Sequence, residues 1–283
     1  SLAFFFNANI LSSDELSMIL IEFQSEFTNF FQNKYVLPHY LNEANKYFLL
    51  HFSNMDIVTL SKPKNDLVIT KYFSPELQYT FHNLITSEFK TDAEFFRFRQ
   101  DGCNPFPILE YIRNDDFPGF LDFVKNNEKA LNLTIPTSLF ERFLLLNKQK
   151  VSLIEYSAFF KAVQIFKFLY LRLPQLPETL PIFAVAGGDP EIIYLCEDKG
   201  LSFRKTLPLA IQFKHDDIYN YLRNEIPLKS EICKIAIEYF NCSIIKNIIF
   251  EIFQDSSLVN QRSLIKDIVK ATIISGHMSL FIF

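Results

Sequence analysis

A small residue, followed eight and nine positions later by an apolar pair and three beyond that by another apolar residue, recurs down the C-terminal half of this 283-residue chain. Ser157 leads Ile165, Phe166 and Leu169. Ala184 leads Ile192, Ile193 and Cys196. Ala210 leads Ile218, Tyr219 and Leu222, and Ala236 leads Ile244, Ile245 and Ile248. Thr272 leads Leu280 and Phe281. The leading residues are spaced by 27, 26, 26 and 36. A period in this range predicts a stacked array, because one such unit cannot bury its own apolar face. Fully burying one Leu, Ile or Phe contributes about 1.5–3 kcal/mol. Ordering one backbone residue costs about 1–2 kcal/mol, so stacking must tip the balance.

Each unit reads as two helices around a short turn. The turns are Lys161-Ala162, Gly188-Asp189, Lys214-His215, Phe240-Asn241 and Gly276-His277. Gly permits the positive φ at which many helices end, and Asp or Asn after it caps the next helix. Asp189-Pro190-Glu191 combines a cap, a first-turn proline and an acid near the positive helix end. The small leading residue lets the two helices approach closely.

Upstream the pattern is also helical. Ser12 and Glu15 form a capping box ahead of a stripe from Leu16 to Phe31, and 39–53 carries a second stripe. Ser61 to Thr70 reads as a loop. Ser74-Pro75-Glu76 starts a third helix, and Thr91 with Glu94 suggests another before Phe95, Phe96 and Phe98. After the turn Asp101-Gly102-Cys103-Asn104-Pro105, residues 106–112 and 120–124 form a degenerate first hairpin joined at Asn114-Asp115-Asp116. Pro136 to Asn147 reads as one more helix.

Thr179-Leu180-Pro181-Ile182-Phe183-Ala184, Gly188 and the Ile192-Ile193 pair together resemble an ankyrin repeat, as does the Gly276-His277 turn. Thr206 to Ala210 and Ser152 to Phe160 are similar to short, divergent units of that family. The resemblance spans about 105–283. It implies an all-α, ankyrin-like helical-hairpin solenoid. The units are shorter than the family's roughly 33 residues, so the connections 198–205 and 223–229 leave room only for reduced β-hairpin fingers. The expected organisation is an N-terminal helical region over 1–100 that caps a repeat solenoid over 101–283.

Chemistry is sparse. His215-Asp216-Asp217 is the most reactive-looking cluster, but His215 occupies the repeat turn, so a structural role is expected. Gly187-Gly188 lacks the spacing and following Lys of a phosphate loop. Cys103, Cys196, Cys233 and Cys242 form no CxxC pair and no zinc-site spacing, which favours a reduced, cytoplasmic protein. Phe95-Phe96-Arg97-Phe98-Arg99 reads either as a docking patch or, preferably, as arginines snorkelling over buried Phe. His39, His51 and His82 have no recognisable catalytic partners. No catalytic residue, metal site or cofactor is therefore assigned, and the chain is expected not to be an enzyme.

A net charge of −4 argues against nucleic acid, which needs a basic face. No run of 18 apolar residues offers a membrane span. The chain has 33 phenylalanines and no Trp, and the Phe side chains make up for scarce Gly and Ala in filling a core. Phe281, Ile282 and Phe283 would give an array ending there an apolar outer face, unlike the polar caps of such arrays. Either the native protein continues, which is favoured, or another protein covers that end. The resemblance implies a scaffold or adaptor that binds a protein through the concave face of the array. The alternative is a structural subunit of a large assembly, such as a cytoskeletal one.

Overall fold

The structure, a computed structural model, describes residues 35–36, 58–59, 92–127, 130–131, 133–147, 150–223, 230–239, 241–254 and 266. In chain order the first elements are β1 (Tyr35–Val36), β2 (Val58–Thr59), α1 (Asp92–Asp101), α2 (Pro107–Arg113), α3 (Phe117–Lys125), β3 (Thr134–Ile135), α4 (Leu144–Asn147) and β4 (Val151–Ser152). Four hairpins follow: α5 (Leu153–Phe159) with α6 (Val163–Arg172), α7 (Leu180–Gly187) with α8 (Pro190–Asp198), α9 (Leu207–Gln212) with α10 (Asp216–Arg223), and α11 (Ser230–Glu238) with α12 (Cys242–Gln254). The described residues are thus mostly helical, and their strands are two-residue pairings. β1 runs parallel to β2, and β3 antiparallel to β4 with Ile135 opposite Val151. The helices expected over 12–31, 39–53 and 74–89 lie outside the described residues, as do the Ser61–Thr70 loop, the 223–229 connection beyond Arg223 and the Thr272 unit. Backbone packing divides the chain into two compact units: residues 1–111 with 127–152, and residues 112–126 with 153–283.

In the first unit Phe95 of α1 is buried and meets Phe140 edge-on at 5.4 Å. The expected helix over Pro136–Asn147 is corrected here: only Leu144–Asn147 is helical. Side chains take the backbone groups that a helix would pair with one another. Ser138 N donates to Asn147 Oδ1 at 3.0 Å, and Asn147 Nδ2 donates to the carbonyls of Ser138 and Glu141 at 2.9 and 3.2 Å. Buried Glu141 accepts from the amides of Phe143 and Asn104. Asn and Asp/Glu side chains that satisfy nearby amides compete directly with helix formation.

In the second unit the first helices pack in succession, α5 on α7, α7 on α9 and α9 on α11, and each packs on its own hairpin partner. The spacing that predicted this places the right residues inside. Ser157, Ala184, Ala210 and Ala236 are fully buried, and the apolar triplets that follow each of them are buried. Close approach is most demanding at Gly187, where an added Cβ would lie 2.1 Å from the carbonyl oxygen of Ala158. Only a residue without a side chain lets α7 sit that near α5.

The hairpin turns repeat in detail. The first turn residue has positive φ in each described case: Asp115 (47°), Lys161 (58°), Gly188 (81°) and Lys214 (57°). The next residue's amide returns to the leading residue's carbonyl, from Ala162 to Ser157, from His215 to Ala210 and from Asn241 to Ala236, at 2.8–2.9 Å. This 6→1 bond closes the first helix while the second begins. The 106–124 pair joins at the same kind of turn, as expected, with Asp116 capping α3 through Gly119 N.

Candidate functional site

The turn positions are occupied by side chains that tie one hairpin to a neighbouring one. His215 Nε2 sits 3.0 Å from the Ala186 carbonyl oxygen, and its ring lies parallel to Phe213. Burial pushes the His215 pKa down, with Lys161 adding to the shift and the Ala186 carbonyl and Asp216 opposing it. Asn241 Nδ2 donates to Ile211 O at 3.1 Å. Asp115 accepts from Gln164 N and Ile165 N, both at 3.2 Å. It thereby caps α6, whose own cap position holds Ala162 and supplies no side-chain acceptor. Of the His215-Asp216-Asp217 cluster, His215 and Asp216 are half-buried at the turn, where the spacing put them, and Asp217 is exposed. Among the described residues no group of three His, Cys, Asp or Glu could hold a metal ion.

The remaining singled-out residues fall as follows. Cys196 is buried and its thiol is pushed up to about 12, chiefly by burial, as befits a thiol packed like a small hydrophobe. Cys233 is buried, Cys103 half-buried and Cys242 exposed. In the Phe95–Arg99 run, Phe95 is buried and Phe98 half-buried, but Phe96 is exposed. Arg97 is exposed and stacks on Phe98, whereas Arg99 is itself buried against Phe95 and Phe96. Only Arg97 snorkels. His39, His51, His82, Phe281, Ile282 and Phe283 lie outside the described residues.

Among the described residues, a cavity, the outer face of the second helices and part of the first-helix face are exposed. On the first unit a cavity of about 670 Å³ lies between Glu94 and Phe98 of α1 and the prolines Pro105, Pro107 and Pro136. Asn104, in its wall, has both ends of its amide engaged by Pro136 O and Phe106 N.

On the second unit the second helices present a common outer face. Lys167 of α6 pairs with Glu191 of α8 at 2.6 Å. Lys199, after α8, lies over the Tyr170 ring at 5.0 Å, and Tyr221 OH of α10 donates to Glu197 Oε2 at 2.8 Å. Within this mesh Leu171, Tyr194 and Tyr221 stand out, 81%, 66% and 55% exposed. The repeat spacing located the inward triplets but gave no signal for this aromatic face, because outward positions carry no periodic constraint.

The first helices differ along the array. Every residue of α5 is buried, and every residue of α7 but half-buried Ile182. In α9 and α11, Pro208, Glu231, Lys234 and Glu238 are exposed. Among the described residues no helix is long and apolar enough to cross a membrane. No family model, no curated protein and no solved structure matches the chain.

Proposed function

We propose that the chain is a non-enzymatic protein-binding module, a cytoplasmic scaffold or adaptor built as an ankyrin-like solenoid with reduced fingers. The ordered succession of first helices, the repeated turn geometry and the absence of strand in the 199–206 connection support that architecture. The observation that carries the function is the exposed pair Tyr194 and Tyr221 on consecutive second helices, linked through Glu197. Tyrosine offers a large, rigid contact area with a polar tip and is enriched at protein interfaces. The first-helix face contributes at α9 and α11, where it is open.

Photo-cross-linking in cells tests this reading, with p-benzoylphenylalanine placed at Tyr194 and, separately, at Lys234. A discrete cross-linked protein is expected from Tyr194. No adduct from either position would overturn the reading. Recovery of the chain only in one insoluble, stoichiometric assembly would favour a structural subunit.

A further inference from the structure

The cavity on the first unit, about 670 Å³ in volume, falls within the roughly 300–1,000 Å³ of small-ligand sites. Its wall is poor in hydrogen-bond donors. Pro105, Pro107 and Pro136 stand in it and carry no N–H. Four of the amides beside them are spent on the protein itself. Asn104 N donates to Glu141 Oε2 at 3.3 Å and Phe106 N to Asn104 Oδ1 at 3.1 Å. Ser138 N donates to Asn147 Oδ1 at 3.0 Å and Phe140 N to Ser138 Oγ at 3.2 Å. The side-chain amide of Asn104 donates to Pro136 O at 2.7 Å.

What the wall holds instead is π surface and negative charge. Phe98, Phe106 and Phe140 line it, and Glu94 is the sole charged side chain among the described residues that do. Glu94 and Phe98 are four residues apart on α1 and so share a face, and the Phe98 and Phe140 rings are 5.9 Å apart. Phe98 already carries one cation, the Arg97 guanidinium 4.7 Å from its centroid, which lies outside the wall. Aromatic faces and a carboxylate both attract positive charge. An anionic ligand would meet like charge and would lose its hydration with few donors to replace it.

We propose that this cavity binds a small organic ammonium, with an apolar body packed on the prolines and Leu139 and its cationic head beside Glu94 and Phe98. The inference goes beyond the protein-binding reading, which concerns the second unit, and neither depends on the other.

The test titrates the full chain with phenethylammonium, phenethyl alcohol and hydrocinnamate, which share a ring and a short chain but differ in head group. Binding is followed by NMR at the Leu139 methyls and the Phe106 ring. Phenethylammonium binds about ten-fold tighter than the alcohol, the gain of a hydrogen bond to a charged group, and hydrocinnamate does not bind. Glu94 is half-buried, and Glu94→Gln keeps its shape while bringing the ammonium down to the level of the alcohol. Phe98→Leu weakens the ammonium by about two- to five-fold, the size of an exposed cation–π contact, and the alcohol less. Asp122→Asn, at an exposed position on α3, removes the same charge and changes nothing. Equal effects of Glu94→Gln and Asp122→Asn would overturn the proposal. So would hydrocinnamate binding as tightly as the ammonium, shifts that avoid Leu139 and Phe106, or no binding by any probe up to its solubility. Acetyl-lysine methylamide, an ammonium without the apolar body, binds more weakly than phenethylammonium. The reverse order would assign the cavity to a lysine of a partner protein and end the small-ligand site.

Discussion

The imidazole of His215 occupies the space that a side chain at Gly188 would fill: a Cβ there would lie 2.4 Å from its Cε1, while Nε2 reaches the Ala186 carbonyl at 3.0 Å. Gly188 also has φ +81°. The glycine thus serves two ends, the left-handed turn and the seat for the next hairpin's histidine.

Gly188→Ala should accordingly cost about 2–3 kcal/mol, from left-handed strain and a displaced hydrogen bond. In Gly188→Ala with His215→Ala the ring is gone, so the two losses should fall short of their sum. Urea denaturation of the four proteins gives the coupling. Strict additivity would show that the ring and the glycine are independent.

His215 also makes stability depend on pH. Its folded pKa is depressed by burial below the ordinary value of 6.5, so the folded state binds fewer protons. Its contribution is therefore fully present above pH 6.5 and is lost as pH falls through that value toward the folded pKa. The drop in urea midpoint between pH 7.5 and 5.5 should be smaller in His215→Gln than in the parent chain. An identical drop in both would sink the assignment.

Asp115 and Lys161 both hold left-handed backbone, with opposite consequences. Asp115→Ala removes the cap of α6 and should destabilise by about 1–2 kcal/mol; Asp115→Asn, which keeps an acceptor and tolerates the turn, should cost less. Lys161 is exposed, so Lys161→Gly should relieve strain and stabilise by up to about 1 kcal/mol. Thermal denaturation ranks all three against the parent.

Ala210 is fully buried between hairpins. Ala210→Glu places a charge there without a partner and should cost at least about 3 kcal/mol, enough to lose the cooperative transition of the array. A variant with unchanged melting temperature would mean that the repeat register is wrong.

The linear order of residues determined which positions face inward. Ala184 and its triplet, and the same set led by Ala210 and Ala236, were legible because helical geometry fixes which residues share a face whatever packs against it. The turn sites were legible as well, since chain reversal between short helices needs residues that end one helix and start another. Tertiary structure alone decided how those turns are held. Lys161 and Lys214 take a conformation that composition would assign to glycine, and Asp115 caps a helix about fifty residues away. Between 136 and 143, Asn147 and Glu141 draw backbone groups out of a helix that local pattern favoured. The outer tyrosines became visible only when neighbouring hairpins brought Tyr221 to Glu197. Each of these depends on a partner that propensity and periodicity, which act within a few residues, do not reach.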